Sequence, residues 1–135
     1  MKRTVYSVVY WVAAILIALG AFGHGIGGAR NLQRAFAAAT NFDPHAASII
    51  WVVWYWVSGT MLFFGGISLW AWFPARRGNR DVLVLPLGVA AFYMITGILT
   101  VAVEHEAFWL LFLIEGALLL VGTLGLRGAT SPSQT

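Results

Sequence analysis

The sequence predicts an all-α integral membrane protein, a four-helix bundle with both termini in the cytoplasm. Three observations carry that expectation. First, 60% of the 135 residues are hydrophobic, 10% are charged, and the mean hydropathy is +0.82. A soluble domain is roughly 45–50% apolar and 25% charged, and a fold of this size could not hide so much apolar surface from water. Second, the apolar residues fall into four stretches, about 5–28, 46–73, 82–103 and 107–126. Each reaches the roughly 20 residues that a helix needs to cross a bilayer. Third, the basic residues sit at the ends of these stretches. Lys2, Arg3, Arg76, Arg77, Arg80 and Arg127 fall on one side, with only Arg30 and Arg34 on the other. The richer side is expected to be cytoplasmic. Backbone groups find no water in lipid, so the spans should be helices, and no ten-residue alternating segments of a barrel occur.

The first stretch opens with Lys2 and Arg3, and its small residues at 18–21 would suit a cleavable signal. The apolar run continues past that point, which favours a retained span. Between the first and second stretches, Leu32, Ala35, Phe36 and Ala39 recur at helical spacing against Arg30 and Arg34. That pattern suggests a short interfacial helix over about 31–40 on the outer surface, with an irregular loop as the alternative. The second stretch opens with Asp43 as a cap and Pro44 in the first turn. It closes on Trp70, Trp72, Phe73 and Pro74, an aromatic belt before a stop. Only Glu104, His105 and Glu106 separate the third and fourth stretches, so those helices form a tight antiparallel hairpin. The small, polar tail from residue 128 onward is expected to fray. The whole chain reads as one membrane domain.

Lipid-embedded helices associate through small residues. Gly23 and Gly27 form a small-xxx-small pair, and Gly20, Gly25 and Gly28 crowd the same helix end. A helix-one face of Tyr6, Tyr10, Ala13, Ile17, Gly20 and His24 is expected to point inward. So are Tyr93, Thr96, Gly97, Thr100 and Glu104 on helix three, and Ser48, Trp51, Tyr55, Ser58 and Gly59 on helix two. The simpler reading of the Ser and Thr residues is that they bond their own helix backbone.

Glu115 is the acid placed well inside a span, about 12 Å from residue 107 at 1.5 Å per residue. An ionisable residue at that depth is a functional candidate, with a neutral acid bonded to a neighbouring helix as the alternative. His24, His45 and His105 fall on the outer side with Glu104 and Glu106, a residue set able to bind Zn, Cu or non-haem Fe. His45 and His105 read equally well as solvated loop residues. Haem would need a second deep histidine, which is missing. A quinone pocket could draw on Trp51, Trp54, Tyr55, Trp56, His24 and Glu104, although Trp51 and Trp109 also suit an interfacial belt. There is no Cys, no G-x-S-x-G and no H-E-x-x-H. An enzyme is therefore less expected than a binding protein. The basic residues form no patch with interleaved aromatics, which excludes nucleic acid.

His24, Gly28 and Arg30 spell H-x-x-x-G-x-R, and Trp54 to Ser58 spell W-Y-W-V-S. These resemble motifs in small bacterial four-helix membrane proteins of unknown function, where the second motif reads W-H-x-x-S. Tyr55 stands here in place of that His. The resemblance implies a bacterial inner membrane protein. Small multidrug-resistance transporters are similar in size, span number and a lone membrane Glu. Their Glu lies on the first helix rather than the fourth, so their binding assignment does not carry over.

The resulting expectation is a protein that binds a small ligand or ion in the outer half of its bundle, through His24, Arg30, Tyr55, Tyr93, Glu104 and Glu115. Proton-coupled transport as a homo-oligomer would extend that reading. The alternatives are an accessory subunit of a larger membrane complex, and a metal-, quinone- or haem-binding redox protein. The sequence names no cofactor.

Overall fold

The computed structural model describes residues 2–128. The tail beyond them lies outside the described residues. Among these residues there are helices and no strands. Helix α1 (Lys2–Phe22) passes through a π-helical segment (Gly23–Gly28) into α2 (Ala29–Ala38). Then follow α3 (Pro44–Arg76), α4 (Val84–Glu104) and α5 (Leu110–Gly128), with one 3-10 turn each before α4 and α5. Among the described residues, four helical units are long and apolar enough to cross a membrane.

The expected separation between the first span and an outer surface helix is not observed. Phe22, Gly28 and Ala29 all keep right-handed helical angles, so α2 continues α1. The unit Arg3–Ala38 has 36 residues and α3 has 33. At 1.5 Å per residue they reach about 54 and 50 Å, against about 36 and 33 Å for Asp81–Glu104 and Ala107–Gly128. The first two form a long antiparallel hairpin. Its register is read from Trp11 against Trp72, Ala18 against Gly65, His24 against Ser58 and Phe36 against Trp51.

Helix α3 begins as the sequence indicates. The Asp43 carboxylate accepts from the backbone N–H of His45 (3.1 Å) and Ala46 (3.3 Å), which satisfies two of the helix's orphan donors. It does not stop at Phe73. Pro74 lies in the last turn, and its carbonyl accepts from Arg77 and Asn79 while Gly78 turns the chain at φ +103°. The turn after α4 is as tight as expected, with His105 in the left-handed region at φ 57°.

Helix α5 packs on α1 and α4, and both hairpins share a core of Tyr10, Ile17, Ala90, Tyr93 and Leu119. Gly122 brings α5 against the Tyr10 backbone, and Gly97 brings α4 against Leu113. A Cβ at Gly122 would fall 2.7 Å from Tyr10 N, and one at Gly97 2.7 Å from Leu113 N. The start of α1 and the end of α5 therefore lie at one end of the bundle. The Tyr10 hydroxyl donates to the Ser68 carbonyl of α3 at 2.5 Å.

The expected inward face of α1 is borne out at Tyr10, Ala13 and Ile17, all fully buried. That of α3 is not. Its buried residues are Met61, Gly65, Ser68 and Ala71, while Ser48, Tyr55 and Gly59 are exposed or only partly covered. The N-terminal half of α3 runs beyond the short hairpin and packs on the π segment and α2. Thr60, Thr100 and Thr123 each bond the carbonyl four residues back on their own helix.

Candidate functional site

The π segment positions the site. Four of the six residues in its sequence Gly-His-Gly-Ile-Gly-Gly are glycine, and single π turns inside α-helices often mark functional positions. His24 projects from it onto α3. There His24 Nδ1 lies 2.9 Å from Ser58 Oγ, Ser58 Oγ donates to the Trp54 carbonyl at 3.0 Å, and Trp54 Nε1 donates to the His24 carbonyl at 3.0 Å. The imidazole stacks on Trp54 with ring centroids 4.0 Å apart and planes 16° from parallel. The one Ser58 proton is committed to Trp54, so Ser58 Oγ accepts from His24 Nδ1–H. In the neutral ring, Nε2 then carries the free lone pair.

Glycine makes this approach feasible. A Cβ at Gly28 would fall 2.5 Å from the Trp54 ring, and one at Gly25 3.3 Å from Ser58 Oγ. Gly23 and Gly27, expected to mediate helix packing, meet nothing within 4 Å. Near the start of α5 the first helical unit parts from α5. Those two glycines line the resulting crevice instead of a helix contact.

The crevice has a volume of about 730 Å³ and lies between the α1–π–α2 unit, α3 and the start of α5. His24 and Glu115 both line it, with Asn31, Trp54, Met61 and Trp109. The remaining wall is mostly apolar, and Phe108 and Leu111 at its rim are exposed on the bundle's outside. Glu115 is only 4% exposed, and its carboxyl forms no hydrogen bond among the described residues. A buried polar group without a partner is costly. Three buried polar atoms lack hydrogen-bond partners among the described residues: Ser68 Oγ, the Tyr93 hydroxyl and the Trp109 indole N–H. Tyr93 lies within electrostatic reach of Glu115 but packs in the aromatic core against Phe64, Phe92 and Phe112 rather than lining the crevice.

Of the sequence candidates, the structure therefore brings together His24 and Glu115. Arg30 and Glu104 are exposed and do not line the crevice. Tyr55 is 56% exposed and stacks on Trp51, away from His24. His45, His105 and Glu106 are exposed as well. No group of three or more His, Asp or Glu residues able to hold a metal gathers among the described residues. His45 lies at the far start of α3, while His105 lies in the α4–α5 turn, so the long and short hairpins hold them apart. Asn31 is a crevice residue that the sequence reading does not single out. It lies seven residues beyond His24 on the same continuous helical unit, and both line the crevice.

The H-x-x-x-G-x-R and W-Y-W-V-S patterns meet in space: His24 and Gly28 of the first contact Trp54 and Ser58 of the second. Set against family models, curated proteins and solved structures, the chain matches none.

Proposed function

We propose that this protein binds a small lipophilic molecule with a polar head in the crevice beside His24. One observation carries the reading: a half-buried imidazole and the carboxyl of Glu115, which is only 4% exposed and makes no hydrogen bond among the described residues, line the same apolar crevice. Apolar walls with a few convergent polar groups are the ordinary form of a ligand site. The free Nε2 of neutral His24 accepts a hydrogen bond, and Glu115 can accept or donate one according to its protonation. A hydroxyl- or amine-headed amphiphile fits this set, entering from the bilayer past Phe108 and Leu111. His24 and Glu115 are also two proton-exchanging groups in one space, the arrangement that proton-coupled transport across a bacterial inner membrane would use. Both termini would then face the cytoplasm, following the excess of basic residues.

A diazirine-bearing long-chain primary alcohol tests this. Irradiated with the purified protein, it should label the segments around residues 20–35, 54–61 and 108–115. Glu115→Gln and His24→Ala should each weaken that labelling. Labelling spread evenly over lipid-facing residues such as Val52 and Val103, unchanged in both variants, would remove the site.

A second reading has its own support. The N-terminal half of α3 reaches beyond the short hairpin with Val53 and Trp56 exposed, an apolar surface on which a partner subunit or second copy would replace lipid. A protein purified in mild detergent that runs as a monomer, with no co-purifying subunit, would count against this accessory role.

A further inference from the structure

At the opposite end of the bundle, where α1 starts and α5 ends, four helix ends converge around a second cavity of about 650 Å³. Arg3, Thr4 and Ser7 enter it from the first turns of α1, Arg76 from the last turn of α3, and Arg77 and Arg80 from the turn that follows. Trp72, Leu83 and Leu126 supply apolar walls. Four guanidinium groups thus line one space, and no acid among the described residues does. The turn gathers them because Gly78 adopts φ +103°, reversing the chain within a few residues of α3. The Arg76 guanidinium is held over the Trp72 ring, 5.2 Å from its centroid, and Arg80 donates to the Arg127 carbonyl at 3.2 Å.

Orientation in the membrane accounts for basic residues at this end, and helix C-termini accommodate Arg76 and Arg127. Neither requires the guanidiniums of α1, α3 and the α3–α4 turn to surround a common cavity with two hydroxyls. Guanidinium forks match phosphate oxygens in geometry and charge, and basic pockets between helix ends suit lipid head groups. We propose that this cavity is a binding site for a phosphate-bearing anion. Arg3, Arg76 and Arg77 neutralise the phosphate, and Thr4 and Ser7 donate hydrogen bonds to it. The apolar walls accommodate the adjoining carbon skeleton. An anionic phospholipid head group and free inorganic phosphate share this chemistry, and the experiment separates them.

The purified full-length protein, in a non-ionic detergent, is titrated with phosphatidylglycerol, phosphatidylcholine, inorganic phosphate or sodium chloride at matched ionic strength. Thermal stability and native mass spectrometry are the readouts. Phosphatidylglycerol should raise Tm and remain bound where phosphatidylcholine does not. In Arg3→Gln/Arg76→Gln its affinity should fall about tenfold or more, because each substitution takes one guanidinium away from the phosphate. Arg30→Gln/Arg34→Gln removes the same charge from the other end and should keep the effect. A shift with inorganic phosphate alone, abolished in Arg3→Gln/Arg76→Gln, makes the free anion the source. If the glutamine variant fails to fold, Arg3→Lys/Arg76→Lys keeps the charge without the forks, and should bind several-fold more weakly. No response beyond sodium chloride, unchanged binding in the cavity variants, or an equal fall in Arg30→Gln/Arg34→Gln would overturn the assignment.

Discussion

His24 Nδ1 lies 2.9 Å from Ser58 Oγ while the Trp54 ring lies flat against the same imidazole. One contact fixes which nitrogen is protonated, and the other fixes the plane of the ring. The remaining nitrogen, Nε2, is thereby assigned to the crevice chemistry. Ser58→Ala should cost about 1 kcal/mol of stability, as a single internal hydrogen bond does. It should also change the tautomer ratio of His24, measured by ¹⁵N chemical shifts of the labelled imidazole. An unchanged ratio would mean that Ser58 does not hold the ring.

Gly28→Ala places a methyl against the Trp54 ring, which must move. Overpacking of this kind costs about 1–3 kcal/mol. Gly27→Ala, one residue earlier, adds its methyl to open space and should change stability by at most about 1 kcal/mol. Denaturation in mixed detergent micelles ranks the pair. Equal effects would contradict the close approach of the π segment to α3.

Gly122 and Gly88 offer the same comparison in the bundle. A side chain at Gly122 meets the Tyr10 backbone of α1, whereas one at Gly88 meets nothing within 4 Å. Gly122→Val should destabilise by about 3 kcal/mol, because the clash is with backbone rather than a flexible side chain. Gly88→Val should stay near neutral. A thermal shift of Gly88→Val as large as that of Gly122→Val would show that α1 and α5 are not in contact there.

Tyr10→Phe removes the hydroxyl that donates to the Ser68 carbonyl and leaves the ring in place. Interhelical hydrogen bonds in membrane proteins average about 0.6 kcal/mol and reach about 1.7. The variant should lose stability within that range. A larger fall would assign Tyr10 a role beyond this bond.

How much of the site is legible in the sequence depends on which residues are considered. Glu115 stands out because an acid in the middle of an apolar stretch has no local reason to be there. Arg30, Tyr55 and Glu104 are reasonable candidates by residue type, yet each turns outward. The sequence indicates a helix face only relative to an assumed neighbour, and the N-terminal half of α3 has fewer neighbours than a compact bundle would give it. The histidines illustrate the same point. Their shared outer position suggests a cluster, but being on the same side of a membrane does not place residues within bonding distance.

The sequence by itself determined the class of fold. Burying apolar surface and satisfying every backbone group inside the segment leave four helices as the solution for these four stretches. It also determined local features, such as the Asp43 cap and the tight turn at His105, because those depend on residues adjacent in the chain. Only the tertiary structure decided that the first helix runs on through Gly23–Gly28 into α2. Only it decided that His24 meets Ser58 and that Glu115 shares a crevice with the imidazole. Those outcomes depend on where two helices separate. That balance is set by close packing at Gly65, Gly97 and Gly122 and by its absence at Gly23 and Gly27. A glycine reads the same in sequence whether it faces another helix or an open crevice, because the difference lies in what the rest of the chain places opposite it.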